Sequence, residues 1–249
     1  QPVLVGWAYT YMDQILQIFI FTVLTMLALL IFHFRKAYGV LIPLGGVLIS
    51  TVWGLGIISV LGYNLDPLGL VIPFLIAARA MSHGVQLVER YYAETLVLGS
   101  GPKAAKATFD SLFRPGSLGV VSDAIGLSLI AIGSIPLNTH LGIYASLWAI
   151  TVVFTVLIGV PLLLSILPTP KNPEIRETAL RHIGASCSRT VTRPGAARVI
   201  LAVAAIAMLG GLLAASNVQI GDSEPGSPIL YPDHDYNISS RVVNDRFPG

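Results

Sequence analysis

Five polar side chains within long apolar stretches have the types and spacing for chemistry: Arg79, Ser82, His83, Gln86 and Asp123. Arg79 and His83 stand four residues apart, and Gln86 follows three later, so on a helix the three share a face with Ser82 beside them. An ionisable group inside a long apolar stretch is expensive in a bilayer and reads as functional, with a partner to be named. Arg79 is a fixed cation. Asp123 can pair with it or take up a proton. His83 is an imidazole whose ordinary titration range lies close to neutrality. A carboxylate between a fixed cation and a titrating ring can accept and release a proton, which is the chemistry a proton-driven carrier needs at mid-membrane. The structural alternative is an Arg79–Asp123 pair that only locks two helices, with His83 a hydrogen-bonded neighbour. For Ser82 and Gln86 the expected role is hydrogen bonding between helices.

The elements that must position these groups are six apolar stretches, Ile15–Phe34, Val40–Gly62, Pro67–Val88, Ser117–Ile135, Leu141–Leu167 and Ala196–Ala215. Each reaches or approaches the roughly 20 residues a spanning helix needs. A chain that is 54% hydrophobic and only 11% charged, with mean hydropathy +0.75, is excluded from the soluble globular class. The expectation is an all-α membrane protein, a polytopic bundle. If Arg90 and Arg114 mark one interface, a rise of about 1.5 Å per residue puts His83 about 10 Å deep, Asp123 about 13 Å and Arg79 about 16 Å. The carboxylate is then level with the gap between the imidazole and the guanidinium.

Orientation follows from Lys and Arg. Arg35 and Lys36 follow the first span; Arg90, Lys103, Lys106 and Arg114 follow the third; Lys171, Arg176, Arg181, Arg189, Arg193 and Arg198 follow the fifth. The intervening connections, 62–66 and 133–140, carry none, so the basic loops are expected to be cytoplasmic. Residues 1–14 and 216–249 are then expected on the opposite side, and 15–168 form a five-span bundle. Within it, 101–113 alternates Ala and Phe with Lys and Asp and reads as a separate amphipathic helix on the cytoplasmic interface. Residues 169–195 are a basic connector with a helix over Glu174–Val191, and 196–215 is the sixth span. Pro43, Pro73 and Pro161 are candidate kinks. The chain opens on Gln1 and closes on Phe247-Pro248-Gly249 within a polar stretch, so it is expected to be a piece of something larger.

Other chemistries find little support. Cys187 is the single cysteine and lies in the basic connector. An intramembrane enzyme would need a nucleophile–base pair or a metal cluster, and the spans hold no paired carboxylates or His-rich metal spacing. A ring-forming channel signature is missing too. Nucleic-acid binding rests only on Arg residues that the sidedness rule already explains. Asn237-Ile238-Ser239 matches the N-glycosylation pattern, a three-residue match of low specificity.

Several passages together resemble the resistance-nodulation-division (RND) superfamily, in its branch of hydrophobe exporters with the mycobacterial large membrane proteins and hopanoid transporters. Pro73-Phe74-Leu75 through Glu89-Arg90-Tyr91 is similar to that family's fourth helix. Ser122-Asp123-Ala124-Ile125-Gly126, followed by a turn at Ile135-Pro136, is similar to its fifth-helix motif. Gly159-Val160-Pro161-Leu162-Leu163-Leu164 looks like the end of its sixth. Gly221-Asp222 to Gly226-Ser227-Pro228, with Tyr236-Asn237, looks like the start of its second periplasmic domain. The resemblance implies helices two to seven of a twelve-helix fold, the first five forming a sterol-sensing-type bundle, and the start of a periplasmic α+β domain at 216–249.

It further implies a proton antiporter in a bacterial inner membrane, exporting hydrophobic or amphiphilic molecules with no cofactor beyond the proton, and not an enzyme. Implied partners are membrane lipids, a lipid or hydrophobic small-molecule substrate and the remainder of the same polypeptide; a homo-oligomer and a periplasmic accessory protein stay open. Many relatives carry an Asp-Tyr pair in the fourth helix, where this chain reads Ser82-His83. The acid has moved to Asp123, with Arg79 and His83 facing it: Asp123 as acceptor, His83 as relay, Arg79 as anchor. The rival expectation is a non-transporting scaffold or lipid sensor built on the same bundle.

Overall fold

The computed structural model describes residues 12–64, 69–133, 135–170, 179–191, 193–218, 226–227 and 230–247. Residues 1–11, 171–178 and 219–225 lie outside these, and with them the expected N-terminal segment, the start of the helix expected over Glu174–Val191 and the Gly221-Asp222 passage. All described residues that form regular structure are helical, with no strand among them. Six helices are long and apolar enough to cross a membrane: Leu16–Phe34, Ala37–Val60, Val71–Leu98, Gly101–Ile132, Pro136–Ile166 and Gly195–Ala215. The chain divides into two compact units, Gln1–Thr178 and Ala179–Gly249.

The first unit opens with α1 (Met12–Phe34) and α2 (Ala37–Val60), separated by Arg35, whose φ of 52° turns the chain sharply. Within α1 the Thr22 and Thr25 hydroxyls donate to the Ile18 and Phe21 carbonyls, so neither is left unpaired among apolar neighbours. α3 (Val71–Leu98) ends at Gly99, whose φ of 62° is the left-handed cap that glycine adopts without penalty. Pro73 falls in the first turn of α3, where no N–H is needed, and so makes no kink there.

α4 (Gly101–Leu129) follows at once and closes with a 3-10 turn over Ile130–Ile132. Here the structure corrects the sequence expectation. There is no separate interfacial helix over 101–113 ahead of a span at 117: one helix runs straight through Arg114-Pro115-Gly116. Its Ala104, Ala105 and Thr108 are buried in the bundle, so the small-residue side of 101–113 packs against other helices. At about 1.5 Å per residue, Gly101–Ile132 is about 48 Å long. That exceeds the roughly 30 Å hydrocarbon core, so the turns bearing Lys106 and Asp110 have room to stand outside it.

The fifth span is built of three pieces without a break: α5 (Pro136–Val152), a π-helical segment over Val153–Ile158, and α6 (Gly159–Ile166). The local cause is Pro161. It has no N–H to give the Leu157 carbonyl and its ring crowds that carbonyl, so the preceding turn widens.

Small residues let these helices approach closely, as membrane helices require when packing supplies the attraction. Gly54 of α2 lies against the fully buried Trp148 of α5, and Gly46 lies against Val156 and Val160. Between the same helices the buried Ser50 and Thr151 hydroxyls pair at 3.1 Å.

Three connections meet at one end of the bundle. The Tyr38 hydroxyl donates to the Pro168 carbonyl at 2.6 Å, the Gly101 N–H donates to Thr169 Oγ1 at 3.1 Å, and the Lys36 ammonium lies 5.6 Å from the Tyr92 ring centre. The Arg35-Lys36 turn, the Gly99-Ser100 turn and the chain leaving α6 therefore share this basic end. Tyr63 and His140 stack at 4.4 Å where α2 ends and α5 begins, at the other end.

The second unit contains α7 (Ala179–Val191), α8 (Pro194–Ala215) and α9 (Asp235–Arg246). The His234 imidazole caps α9 by accepting the Tyr236 N–H at 3.1 Å.

Candidate functional site

α3 and α4 form an antiparallel hairpin around Gly99-Ser100, and that hairpin sets the level of the charges. Arg79 lies 20 residues before Gly99, and Asp123 lies 22 residues after Gly101. These distances correspond to about 30 and 33 Å of helix, so the two side chains arrive at the same height. They meet: Arg79 Nε and Asp123 Oδ2 are 2.6 Å apart. Gly119, one turn from Asp123, leaves room for the guanidinium, since a Cβ there would stand 3.2 Å from Arg79 Nη2.

The pair is not sealed in the bundle: 43% of the Arg79 side chain and 41% of the Asp123 side chain are exposed. Both border an open groove of about 560 Å³ between α3, α4 and α5, with Leu75, Ile76, Val120, Leu127 and Val152 among its apolar walls. Ser82 lines the same groove, and its Oγ accepts from Gln86 Nε2 at 3.4 Å. An ion pair on an apolar wall has two natural states. The charged carboxylate holds the guanidinium, and a protonated one releases most of that attraction.

His83 is placed differently from the expectation. It lines a second cavity, of about 170 Å³, with Gln86, Leu87, Leu112, Pro115, Gly116 and Leu157. Its Nε2 is enclosed and makes no hydrogen bond within the protein. The structure thus brings together Arg79, Asp123 and Ser82 but gives His83 no hydrogen bond to Asp123. The reason is geometric: Arg79 is aimed at Asp123 across Gly119, while His83 is level with Gly116, a turn nearer the basic end.

One charged contact escaped the sequence reading. His33 Nε2 of α1 lies 2.6 Å from Glu89 Oε1 of α3, near the basic end. The partners are far apart in sequence, so no spacing could signal the pair. Only the two groups' similar positions at their span ends hinted at it. Arg90–Glu94 and Lys106–Asp110, each at 2.6 Å, are the i,i+4 pairs that helical spacing allows.

Among the described residues, no three His, Cys, Asp or Glu side chains come together as metal ligands would. Cys187 is exposed on α7. The glycosylation pattern at Asn237 is corrected by packing: the side chain is buried, its Nδ2 donates to the Ser227, Leu230 and Tyr231 carbonyls, and its Oδ1 accepts the Ser227 N–H. No donor remains for a glycan.

Fold and site together define a multi-pass helical membrane protein with a charged pair facing a groove in its bundle. No protein-family model matches the chain, and no curated protein matches it.

Proposed function

We propose that this chain is the membrane bundle of an RND-type exporter, driven by the proton-motive force and moving hydrophobic or amphiphilic molecules across the inner membrane. The observation that carries the reading is the Arg79–Asp123 contact, a carboxylate and a fixed cation 2.6 Å apart on the wall of an open groove between three spanning helices. In this reading Asp123 takes a proton from one side and returns it to the other. Arg79 holds the carboxylate while it is charged and is freed when it is neutral. His83, next along α3, tunes or relays.

The basic end is cytoplasmic by the sidedness rule. The segment bearing α9 is periplasmic and begins a second periplasmic α+β domain. Further helices and periplasmic parts of the same polypeptide complete the carrier, and lipids or lipid-like molecules are its substrates. Charge alternation between the connections, and the resemblance of the α3, α4 and α6 passages to the family, support this.

Reconstitution of the full-length protein in proteoliposomes with an imposed pH gradient tests it, comparing wild type with Asp123→Asn at matched folded protein level. Gradient-dependent lipid transport that disappears in Asp123→Asn is the expected result. Transport that survives in the variant removes Asp123 from the coupling step. Substrate binding with no gradient dependence in either protein favours the scaffold or lipid-sensor reading, in which the 2.6 Å pair is a structural lock.

A further inference from the structure

The cavity beside His83 is distinct from the groove that holds Arg79 and Asp123, and its construction is unusual for the middle of a bundle. Two of its three walls are places where a proline removes a helix hydrogen bond. Pro115 of α4 has no N–H for the Ser111 carbonyl, and Pro161 has none for the Leu157 carbonyl, so the wall bearing Leu157 is π-helical. Such π turns occur often at functional sites. The third wall, α3, contributes the enclosed Nε2 of His83 and the amide of Gln86, which is itself exposed. A buried polar atom without a partner is costly, and water bound there removes most of that penalty. The volume of about 170 Å³ has room for several waters, each occupying roughly 30 Å³ in the liquid.

α3 also supplies a way in. Arg79, His83, Gln86, Arg90 and Glu94 recur at spacings of three and four, a polar stripe running from the ion pair to the basic end. On the other side, the Arg79 guanidinium lies over Gly119, one turn from the Gly116 that lines the cavity. A fixed cation thus stands between the cavity and the groove. The charged groups acting on His83 are Arg79 and Asp123. The residues of α4 and of the π segment that line its cavity are apolar or glycine.

We propose that this cavity is a water-holding chamber through which the His83 imidazole exchanges protons with the basic side of the bundle, Arg79 separating it from the groove. In each exchange Nε2 accepts a proton from a hydronium in the chamber, giving the imidazolium and leaving water, and later returns it to water to re-form hydronium; no other bond is made or broken. The chamber deepens the exporter reading by giving the relay its own access route, but its water access is measurable without transport.

The test is hydrogen–deuterium exchange at the imidazole C2–H, read by mass spectrometry on the whole chain in nanodiscs across a pH series. In the wild type, His83 is expected to exchange with a pH dependence and at a rate comparable to the exposed His140. Gly116→Leu fills the chamber, since even a Cβ there would stand 2.8 Å from Leu157 Cδ2. It should slow His83 on the order of tenfold while leaving His140 and His234 alone. Leu112→Phe fills the same space from the basic side and carries the test if Gly116→Leu fails to fold. Gly126→Leu, on the groove wall, should leave His83 unchanged. The proposal falls if His83 is protected at every pH in the wild type, if neither filling substitution slows it, or if Gly126→Leu is the one that does. Each of these results stands apart from the exporter reading, which the proteoliposome gradient decides.

Discussion

The indole of Trp148 lies directly against Gly54: a Cβ built on that glycine would fall 1.9 Å from Trp148 Cε2, inside the ring itself. This contact sets how closely α2 and α5 approach, and it shields the Ser50–Thr151 hydroxyl pair between the same helices. Neither partner can yield, because Trp148 is fully buried. Gly54→Ala should therefore force the helices apart and cost about 1–3 kcal/mol, as overpacking does. Gly45→Ala and Gly56→Ala, whose added methyls meet nothing within 4 Å, serve as controls and should be near neutral. Thermal unfolding of the three variants in one detergent or nanodisc preparation checks the contrast; equal melting for Gly54→Ala and the controls would contradict the packing described.

The Arg79–Asp123 pair predicts an asymmetry between single and double substitution. Asp123→Asn alone strands a guanidinium within the bundle, while Arg79→Gln with Asp123→Asn removes both charges and leaves groups that can hydrogen-bond. Breaking a fully buried pair costs about 3–5 kcal/mol. With more than two-fifths of each side chain exposed, the single change should cost less, on the order of 2 kcal/mol, and the double change less again. A double-mutant cycle on unfolding free energies reads the coupling directly. Additive effects would mean that the two groups do not interact in the folded protein.

The spans were legible because lipid imposes a length: any run of about 20 apolar residues declares itself. Counting from Arg90 and Arg114 placed Asp123 level with the gap between His83 and Arg79, because rise per residue is fixed and the hairpin between them is short. What misled was local chemistry overruled by packing. Arg114-Pro115-Gly116 reads as a boundary, yet the helix continues, since Gly116 is held under Leu157 and the rest of the bundle compensates for the missing hydrogen bond. His83 shares a helical face with Arg79, but side-chain direction sends the two into different cavities. The His33–Glu89 contact depends on how α1 docks, which no spacing within one helix encodes.

That contact makes its own prediction. α1 exposes most of its length and joins its neighbours through few polar groups, so the 2.6 Å His33–Glu89 interaction is the main polar tie between α1 and α3. Glu89→Gln or His33→Phe should loosen α1 selectively. In amide hydrogen exchange, the basic-end turns of α1 should exchange faster, while α2 and α5 around Trp148 keep their protection. If α1 exchange is unchanged in both variants, the pair contributes nothing to its docking.

Asn237 ties together the chain ahead of α9. Its amide donates to three carbonyls, of Ser227, Leu230 and Tyr231, and its Oδ1 accepts the Ser227 N–H at 2.7 Å. Gly226 makes room for this: its φ of 132° suits glycine, and a Cβ there would stand 2.5 Å from Asn237 Oδ1. Asn237→Asp keeps the size but loses both N–H donors, which between them reach three carbonyls, and sets a carboxylate against those oxygens. At roughly 1 kcal/mol per donor lost, the local fold should lose about 2 kcal/mol, and amides 230–247 should exchange much faster. The same geometry predicts that the protein made in a glycosylating cell carries no glycan at Asn237, because transfer needs an accessible Nδ2. A glycan-sized mass increase that Asn237→Gln abolishes would show that this segment opens, and that the buried amide is not its resting state.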